Sequence, residues 1–214
     1  MAVFITATGT DQGKTYVTRL LCRQHPGLMA VKPVVSGYTP SSQADPELIL
    51  AAGSAAKTVE QCSPWCFTAP ISPDMAAIQE NRSIDYSALL EFCRQPAVQL
   101  IEGAGGVMSP LTPHHTNLDL ILDTGAQVVL VSSLYLGCIS HILTALNALA
   151  QRQVQVRALV LTPATDTNLD AATVTASLSP HLPSRLPLIT LHRGEDFEQD
   201  WKTQPDLASV VLAK

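Results

Sequence analysis

Short apolar runs alternate with stretches of helical spacing along this chain. Continuous apolar or β-branched runs predict strands at residues 3–7, 28–35, 98–101, 127–132, 157–161 and 187–190. Helical spacing of apolar residues predicts helices at 14–22, 45–52, 86–93 and 139–151, with a polar loop at 40–44 and an irregular Pro-rich segment at 63–73. Buried strands separated by helices indicate an α/β fold, with a mainly parallel sheet and helices on both faces. No linker divides residues 1–214, so we expect a single domain.

The composition narrows the classes of partner. Charged residues make up only 14% of the 214 residues and hydrophobic residues 46%, which predicts much buried surface and leaves room for a subunit interface. The net charge of −5 and the lack of any basic block argue against a nucleic-acid partner. No apolar run is long enough to span a bilayer, and the first residues lack the features of a secretion signal. We therefore expect a cytoplasmic protein without membrane association, whose five cysteines are free thiols.

The strongest chemical signal follows the first predicted strand. Residues 8–15 read Thr-Gly-Thr-Asp-Gln-Gly-Lys-Thr and open the first predicted helix, which is the context that a phosphate-binding P-loop requires. Gly13 would let the backbone approach phosphates, Lys14 would reach the β- and γ-phosphates, and the Thr15 hydroxyl would contact Mg²⁺. The spacing departs from the standard pattern, because Thr8 stands where the first glycine is expected. The alternative is a strand–helix turn with a chance Gly-Lys-Thr, which this place in the chain disfavours.

Two charged residues lie at or inside other predicted strands. Glu102 follows the strand at 98–101 and precedes Gly103-Ala104-Gly105-Gly106. A carboxylate at the carboxyl end of a parallel strand lies where ligands bind in α/β sheets, and it can hold Mg²⁺ directly or through water. Lys32 falls inside an apolar strand, where a lysine is costly to bury without an anionic partner but would suit a transferred phosphate. The alternatives are a solvated Glu102 in a tight turn and an edge-strand Lys32 that reaches solvent.

Taken together, these motifs resemble those of the dethiobiotin synthetase family. Besides the phosphate loop, the matching segments are Lys32-Pro33-Val34-Val35-Ser36-Gly37, Glu102-Gly103-Ala104-Gly105-Gly106, Leu136-Gly137-Cys138-Ile139-Ser140-His141 and a Phe-x-x-Pro-x-Ser-Pro pattern at 67–73. The resemblance covers residues 3–160, and the combination is far more specific than any single motif. It implies a single P-loop NTPase-type domain, with a parallel sheet wrapped by helices, that forms a homodimer.

The resemblance also implies a reaction that uses Mg²⁺ and ATP. In this family, 7,8-diaminopelargonate takes up CO₂ as a carbamate, and the carbamate attacks the γ-phosphate of ATP to give a carbamic–phosphoric anhydride. The second amine then closes the ureido ring of dethiobiotin, and ADP and phosphate are released. The implied activity is that of an ATP-dependent ligase that forms carbon–nitrogen bonds in biotin biosynthesis.

Roles for individual residues follow from the same resemblance. It implies catalytic roles for Lys32, Lys14 and Thr10, and a substrate contact for Ser36. The helix start at residues 137–140 would receive the substrate carboxylate across the dimer. The residues that match the Mg²⁺ ligands are Thr15, Asp45 and Glu102. Those that would contact the nucleotide are Asp11, Gln12, Gly13, Lys14, Thr15, Tyr16, Asp45, Glu102, Gly103, Ala104 and Gly105.

Three positions depart from the family pattern. Asp45 lies in a loop of different length and is followed by a proline, and Asp11 stands where many members carry glutamate. The Asn-Asp pair that reads adenine in the family falls near Thr162-Pro163. Because proline has neither an N–H nor an amide side chain, the nucleotide preference is left open, with CTP as one candidate.

Two other functions fit a P-loop protein. A dimeric switch ATPase of the partition or maturation type usually carries an additional lysine early in the loop, and residues 9–13 contain none. A regulatory module that binds nucleotide without turnover would not need Lys32 in addition to Lys14 and Glu102.

Overall fold

Ten strands and ten α-helices are present in the computed structural model, which describes residues 2–163, 169–192 and 196–212. The strands are β1 Val3–Ala7, β2 Ala30–Val31, β3 Val34–Val35, β4 Trp65–Cys66, β5 Leu100–Glu102, β6 Pro110–Thr112, β7 His115–Thr116, β8 Gln127–Ser133, β9 Val156–Thr162 and β10 Leu188–Thr190. The helices are α1 Lys14–Gln24, α2 Asp45–Ala51, α3 Val59–Cys62, α4 Pro73–Gln79, α5 Tyr86–Cys93, α6 Asn117–Thr124, α7 Cys138–Gln151, α8 Ala171–Leu178, α9 Phe197–Asp200 and α10 Leu207–Val211. No helix in these ranges is both long enough and apolar enough to cross a membrane.

Six strands form one parallel sheet, in the order β10-β9-β8-β1-β5-β2. Successive side chains of a strand point to opposite faces, so Phe4 of β1 enters one apolar layer and Ile5 enters the other. Helices α1, α2, α3 and α10 cover the face of Ile5, whereas α4, α5, α6, α7 and α8 cover the face of Phe4. Burial on both faces explains why the central strands are almost continuously apolar. The predicted α/β fold is confirmed.

The strand order gathers several loops at one edge of the sheet. Because all six strands are parallel, the segments that follow β1, β2, β5, β8 and β9 leave the sheet at its carboxyl edge. This is where ligands bind in open α/β sheets. The segments after β1, β2 and β5 are those that carry the predicted site residues.

The prediction of one continuous strand at 28–35 is wrong. β2 pairs with β5 in the main sheet, whereas β3 pairs with β4 in a separate two-stranded sheet. The break falls at Lys32 and Pro33, where the Lys32 N–H donates to Cys62 O at 3.0 Å and proline has no N–H to continue a ladder. The segment at 63–73 also contains more regular structure than predicted, because it includes β4 and leads into α4 at Pro73.

Candidate active site

A cleft of about 800 Å³ opens at the carboxyl edge of the sheet. Its walls are the phosphate loop, the segments after β2 and β5, the start of α2 and residues 70–73. Most of the predicted site residues line it together, namely Thr10, Asp11, Gln12, Gly13, Lys14, Thr15, Tyr16, Lys32, Ser36, Asp45, Ala104 and Gly105. Glu102 and Gly103 lie beneath this surface, and Glu102 is fully buried. Residues 137–140 lie outside the cleft walls of the same chain.

The phosphate loop is held in shape by contacts with β8 and β9. Gly13 caps α1 with a φ of 87°, and a Cβ there would come within 2.8 Å of Thr162 Cγ2. Thr8 takes the place of the usual first glycine; its N–H donates to Val131 O at 3.0 Å. The Gln12 Oε1 accepts from the Ser133 N–H at 3.0 Å and its hydroxyl at 2.9 Å. These anchors hold the loop without the missing glycine.

Lys14 points back into its own loop in this structure. Its side chain is buried, and its Nζ donates to Gly9 O at 3.0 Å. Burial, and next the nearby positive charge of Lys32, lower the pKa of Lys14 to about 8. A phosphate anion in the loop would supply the negative charge that this lysine lacks.

Lys32 joins two carboxylates at the floor of the cleft. Its Nζ lies 2.9 Å from Glu102 Oε1 and also pairs with Asp45 Oδ2. Lys32 is 7% exposed and Glu102 0%, so the alternatives in which either side chain is solvated are wrong. Burial is the largest single influence and opposes the lysine charge, but the combined attraction of Glu102 and Asp45 raises the pKa of Lys32 above its usual value. Burial likewise acts against ionised Asp45, but the charge of Lys32 holds the pKa of Asp45 below its usual value.

The oxygen atoms around Glu102 could hold a divalent cation. The Thr15 hydroxyl donates to Glu102 Oε1 at 2.7 Å, and Asp45 pairs with the same Lys32 that contacts Glu102. The second oxygen, Glu102 Oε2, is buried and makes no hydrogen bond within the described residues. Two carboxylates and a hydroxyl suit Mg²⁺, which is held by few protein oxygens and keeps sites for water and phosphate.

The second glycine loop is tightly constrained. A Cβ on Gly103 would lie 2.7 Å from Phe4 Cε1, and one on Gly105 would lie 2.3 Å from Ser109 Oγ. The Gly106 N–H donates to Ser109 Oγ at 2.7 Å. The buried Asn117 side chain also donates to this loop. Neither Ser109 nor Asn117 was predicted from the sequence to contact this loop.

The loop after β3 reaches from the cleft to α2. Ser36 lines the cleft, and its Oγ is buried with no hydrogen-bond partner in the described part of the chain. Beyond it, the Tyr38 hydroxyl donates to Glu47 Oε1 at 2.8 Å. Because Glu47 lies two residues after Asp45 on α2, this bond ties the Ser36 loop to the helix that carries Asp45.

The C-terminal segment packs against α1 beside the cleft. The rings of Tyr16 and Phe197 meet edge to face with centroids 5.2 Å apart. The Arg19 guanidinium lies over the Phe197 ring at 3.7 Å and is 3.5 Å from Glu198. A movement of Tyr16 would therefore be transmitted to the segment that carries α9 through the contact between the Tyr16 and Phe197 rings.

Comparison with known proteins shows the family of this chain. The chain matches the family described as AAA domain over residues 1–189. It is 40% identical to the ATP-dependent dethiobiotin synthetase BioD of Caulobacter sp. strain K31, over 98% of this chain and 96% of that protein. The proteins of the same name from Acidiphilium cryptum and Methylobacterium nodulans are 38% and 37% identical, over 96% and 91% of this chain and 97% and 94% of their own lengths. The chain belongs to the dethiobiotin synthetase family.

A solved structure shares the fold of this dethiobiotin synthetase family member. The ParA family ATPase from Chlorobium tepidum TLS superposes with a TM-score of 0.54 over 100% of this chain and 93% of that chain. The two sequences are only 11% identical, so the match shows the fold alone. It agrees with the predicted P-loop NTPase-type architecture and carries no argument for a switch function.

Most of the family's motifs converge although they are far apart in the sequence. The structure brings together the phosphate loop, Lys32, Asp45 and Glu102, and Ser36 lines the same cleft. Thr162 also touches this region, because its hydroxyl donates to Gln12 O at 3.0 Å. Which of these residues contacts nucleotide, metal or diamine stays a prediction.

Proposed function

We propose that this chain is an ATP-dependent dethiobiotin synthetase that converts 7,8-diaminopelargonate, CO₂ and ATP to dethiobiotin, ADP and phosphate. One observation carries the proposal: in a chain of this family, the P-loop Lys14 and the buried Lys32–Glu102 pair lie at one cleft. The reaction joins two anions, a carbamate and a triphosphate, so it needs concentrated positive charge in a partly dry site. Two lysines beside a helix N-terminus supply that charge.

The proposed reaction has two steps, phosphoryl transfer to the carbamate and closure of the ring. A carbamate oxygen attacks the γ-phosphorus of ATP; the new O–P bond forms as the bond to the bridging oxygen of ADP breaks. The second amine then attacks the carbamate carbon, loses a proton, and phosphate leaves with the electron pair of the C–O bond. Lys14 would leave Gly9 O to meet the phosphates, and Lys32 would stabilise the carbamate and the phosphoryl group in transfer.

Mg²⁺ would lie among Thr15, Asp45 and Glu102. Bound there, the ion would neutralise negative charge on the phosphate oxygens. The support for this placement is the donor set itself and the buried Glu102 Oε2 that has no partner within the described ranges. Lys32 shares both carboxylates, so its pairing must adjust when the cation binds.

The proposed enzyme is a homodimer with substrate contacts from both copies. Large apolar side chains are exposed on the single chain at Met75, Ile78, Met108 and Leu136, and a second copy would cover them. Gly137, with a φ of 101°, precedes helix α7, and this helix start has no side-chain cap. The Cys138 N–H donates to Tyr135 O at 3.0 Å, so the N–H groups of Ile139 and Ser140 are the ones that a carboxylate could use. We propose that this start receives the diamine's carboxylate from across the dimer, while Ser36 contacts the substrate in its own cleft. Light scattering on the purified chain would test the dimer.

The direct test is phosphate release with Mg-ATP and bicarbonate, with and without 7,8-diaminopelargonate, combined with mass spectrometry for dethiobiotin. CTP and GTP replace ATP in parallel reactions, since Thr162-Pro163 stands at the family's adenine-reading position. Diamine-dependent release with dethiobiotin as product is expected. Lys32→Met should abolish it, whereas Lys57→Met, at an exposed lysine, should not. Release that is indifferent to the diamine with every nucleotide would refute the proposal and favour a P-loop switch.

A further inference from the structure

Asn117 is a fully buried residue at the first position of α6. The start of α6 is capped by other residues: the Thr116 hydroxyl accepts from the Asp119 N–H, and the Asp119 carboxylate accepts from the Thr116 N–H. The amide of Asn117 is therefore not needed to cap its own helix. It is free to act on a neighbouring segment.

That neighbouring segment is the glycine loop that follows Glu102. The Asn117 side-chain nitrogen donates to Ala104 O at 2.6 Å and to Gly106 O at 2.8 Å. Its backbone N–H donates to Ser109 O at 3.0 Å, so the loop is wrapped around this residue. The side-chain oxygen is buried and has no partner among the described residues. An orphaned oxygen of this kind is unfavourable, and the two hydrogen bonds from the nitrogen must offset that cost.

The two bonds fix the direction of two peptide groups. In a trans peptide the C=O and the following N–H point in opposite directions. Because Ala104 O points at Asn117, the Gly105 N–H points away from it, and Gly105 lines the cleft. No acceptor for the Gly105 N–H is found in the described part of the chain. By the same rule, Gly106 O at Asn117 turns the Val107 N–H outward, where it donates to Ala7 O at 3.0 Å and joins the loop to the end of β1.

We propose that Asn117 is a positioning residue that aims the Gly105 N–H at the anionic group reacting in the cleft. That group is either the carbamate or the phosphoryl group passed to it. Asn117 touches neither, and it acts only through the peptide groups that it orients. The inference rests on the proposed function.

The test compares variants at Asn117 with a destabilising variant elsewhere on α6. Asn117→Asp keeps the shape but replaces the donating nitrogen by an acceptor, and Asn117→Ser is a smaller second variant. Leu120→Ala is the control, because Leu120 is buried on the same helix and its apolar side chain cannot form a hydrogen bond to the glycine loop. For each protein we would measure thermal stability, kcat, the KM values for ATP and diamine, and the affinities for ATP and ADP.

Loss of one aimed hydrogen bond to a charged group should lower kcat about ten- to a hundredfold in Asn117→Asp and Asn117→Ser. ADP affinity should change less than about threefold, because the phosphate loop is held by β8 and β9. If the Asn117 variants also lose affinity for ATP, but not for ADP, by a factor similar to the loss in kcat, the Gly105 N–H contacts the phosphoryl group. Unchanged nucleotide affinities with a raised diamine KM would indicate the carbamate. Leu120→Ala should lose stability and keep kcat within about twofold.

Two results would overturn the inference in an active enzyme. The first is an Asn117→Asp protein with wild-type kcat. The second is a Leu120→Ala protein that is destabilised to the same extent as the Asn117 variants and loses as much kcat as they do. If the wild type itself had no diamine-dependent turnover, the proposed function would fail, and this inference with it. The two failures are therefore distinguishable by the wild-type control.

Discussion

Replacing Lys32 by methionine removes the only positive charge that contacts both Glu102 and Asp45 among the described residues. Methionine has nearly the same length and an apolar stem, so the change removes charge with little change in volume. Glu102, which is 0% exposed in the native protein, would be left without its positive partner and near a second carboxylate. The expected consequence is a large loss of stability, separate from any loss of activity.

The two carboxylates should contribute unequally. Removing one partner of a buried ion pair costs about 3–5 kcal/mol, because the other charge stays buried without compensation. The Asp45 side chain is 36% exposed, so solvent screens its share of the pairing. We therefore expect Lys32→Met to lower the free energy of unfolding by about 3–5 kcal/mol and Asp45→Asn by about 1 kcal/mol or less.

The double variant Lys32→Met, Glu102→Gln separates charge from packing. It removes both members of the buried pair, so it should recover at least about 2 kcal/mol relative to Lys32→Met alone. The assay is urea unfolding at pH 7 without Mg²⁺, with the free energies compared in a double-mutant cycle. A Lys32→Met cost below about 1 kcal/mol, or a double variant no more stable than Lys32→Met, would contradict a stabilising role for this buried pair.

Three further predictions concern the cleft. Burial and the charge of Lys32 lower the pKa of Lys14 to about 8, so ATP binding above pH 8 must take up a proton. Calorimetry should therefore find that the affinity of the wild type for ATP falls about tenfold per pH unit in this range. In Lys14→Arg, whose guanidinium stays charged, the affinity should fall little. The unfolded chain also binds more protons than the folded one between this pKa and 10.5, so Lys14 adds stability as pH rises through that window. Gly13→Ala should lower stability by about 1–3 kcal/mol in thermal unfolding and impair nucleotide binding, because Gly13 has a φ of 87° and a Cβ there would meet Thr162. Gly9→Ala is the control: a Cβ at Gly9 has open space around it, so stability should change little. Ser36→Ala should raise the diamine KM about two- to tenfold without loss of stability, since its hydroxyl has no partner to lose within the described ranges.

Hydrophobic pattern was sufficient to predict most of the main sheet. β1, β8, β9 and β10 coincide closely with predicted strands, and α1, α5 and α7 with predicted helices, because burial on both faces of a parallel sheet leaves a strong local signal. The break between β2 and β3 could not be predicted in this way. An apolar run has the same pattern whether it forms one strand or two short ones, and here the pairing of β3 with Trp65 and Cys66, 31 residues later, decides the outcome.

The residues missed at the site were those whose roles depend on tertiary position. Asparagine is usually found at surfaces, so nothing local indicates that Asn117 is buried. The Thr116 and Asp119 pair did carry a usable signal, since a threonine followed three residues later by an acceptor side chain marks a helix start. It would have predicted α6, but not that the first residue of α6 orients the glycine loop.

The Lys32–Glu102 pair follows from strand order more than from either motif. β2 pairs with β5 in parallel, with Val31 opposite Ile101, so Lys32, the first residue after β2, comes level with Glu102, the last residue of β5. β2 ends at Val31 and β5 at Glu102, and the departure of the chain at Pro33 keeps Lys32 at the carboxyl edge of the sheet. Each motif alone allowed Lys32 or Glu102 to be solvated. Because the two strands are adjacent, the two charges pair with each other, and this pairing offsets the cost of burying both. That adjacency is a non-local property, because nearly seventy residues separate the partners.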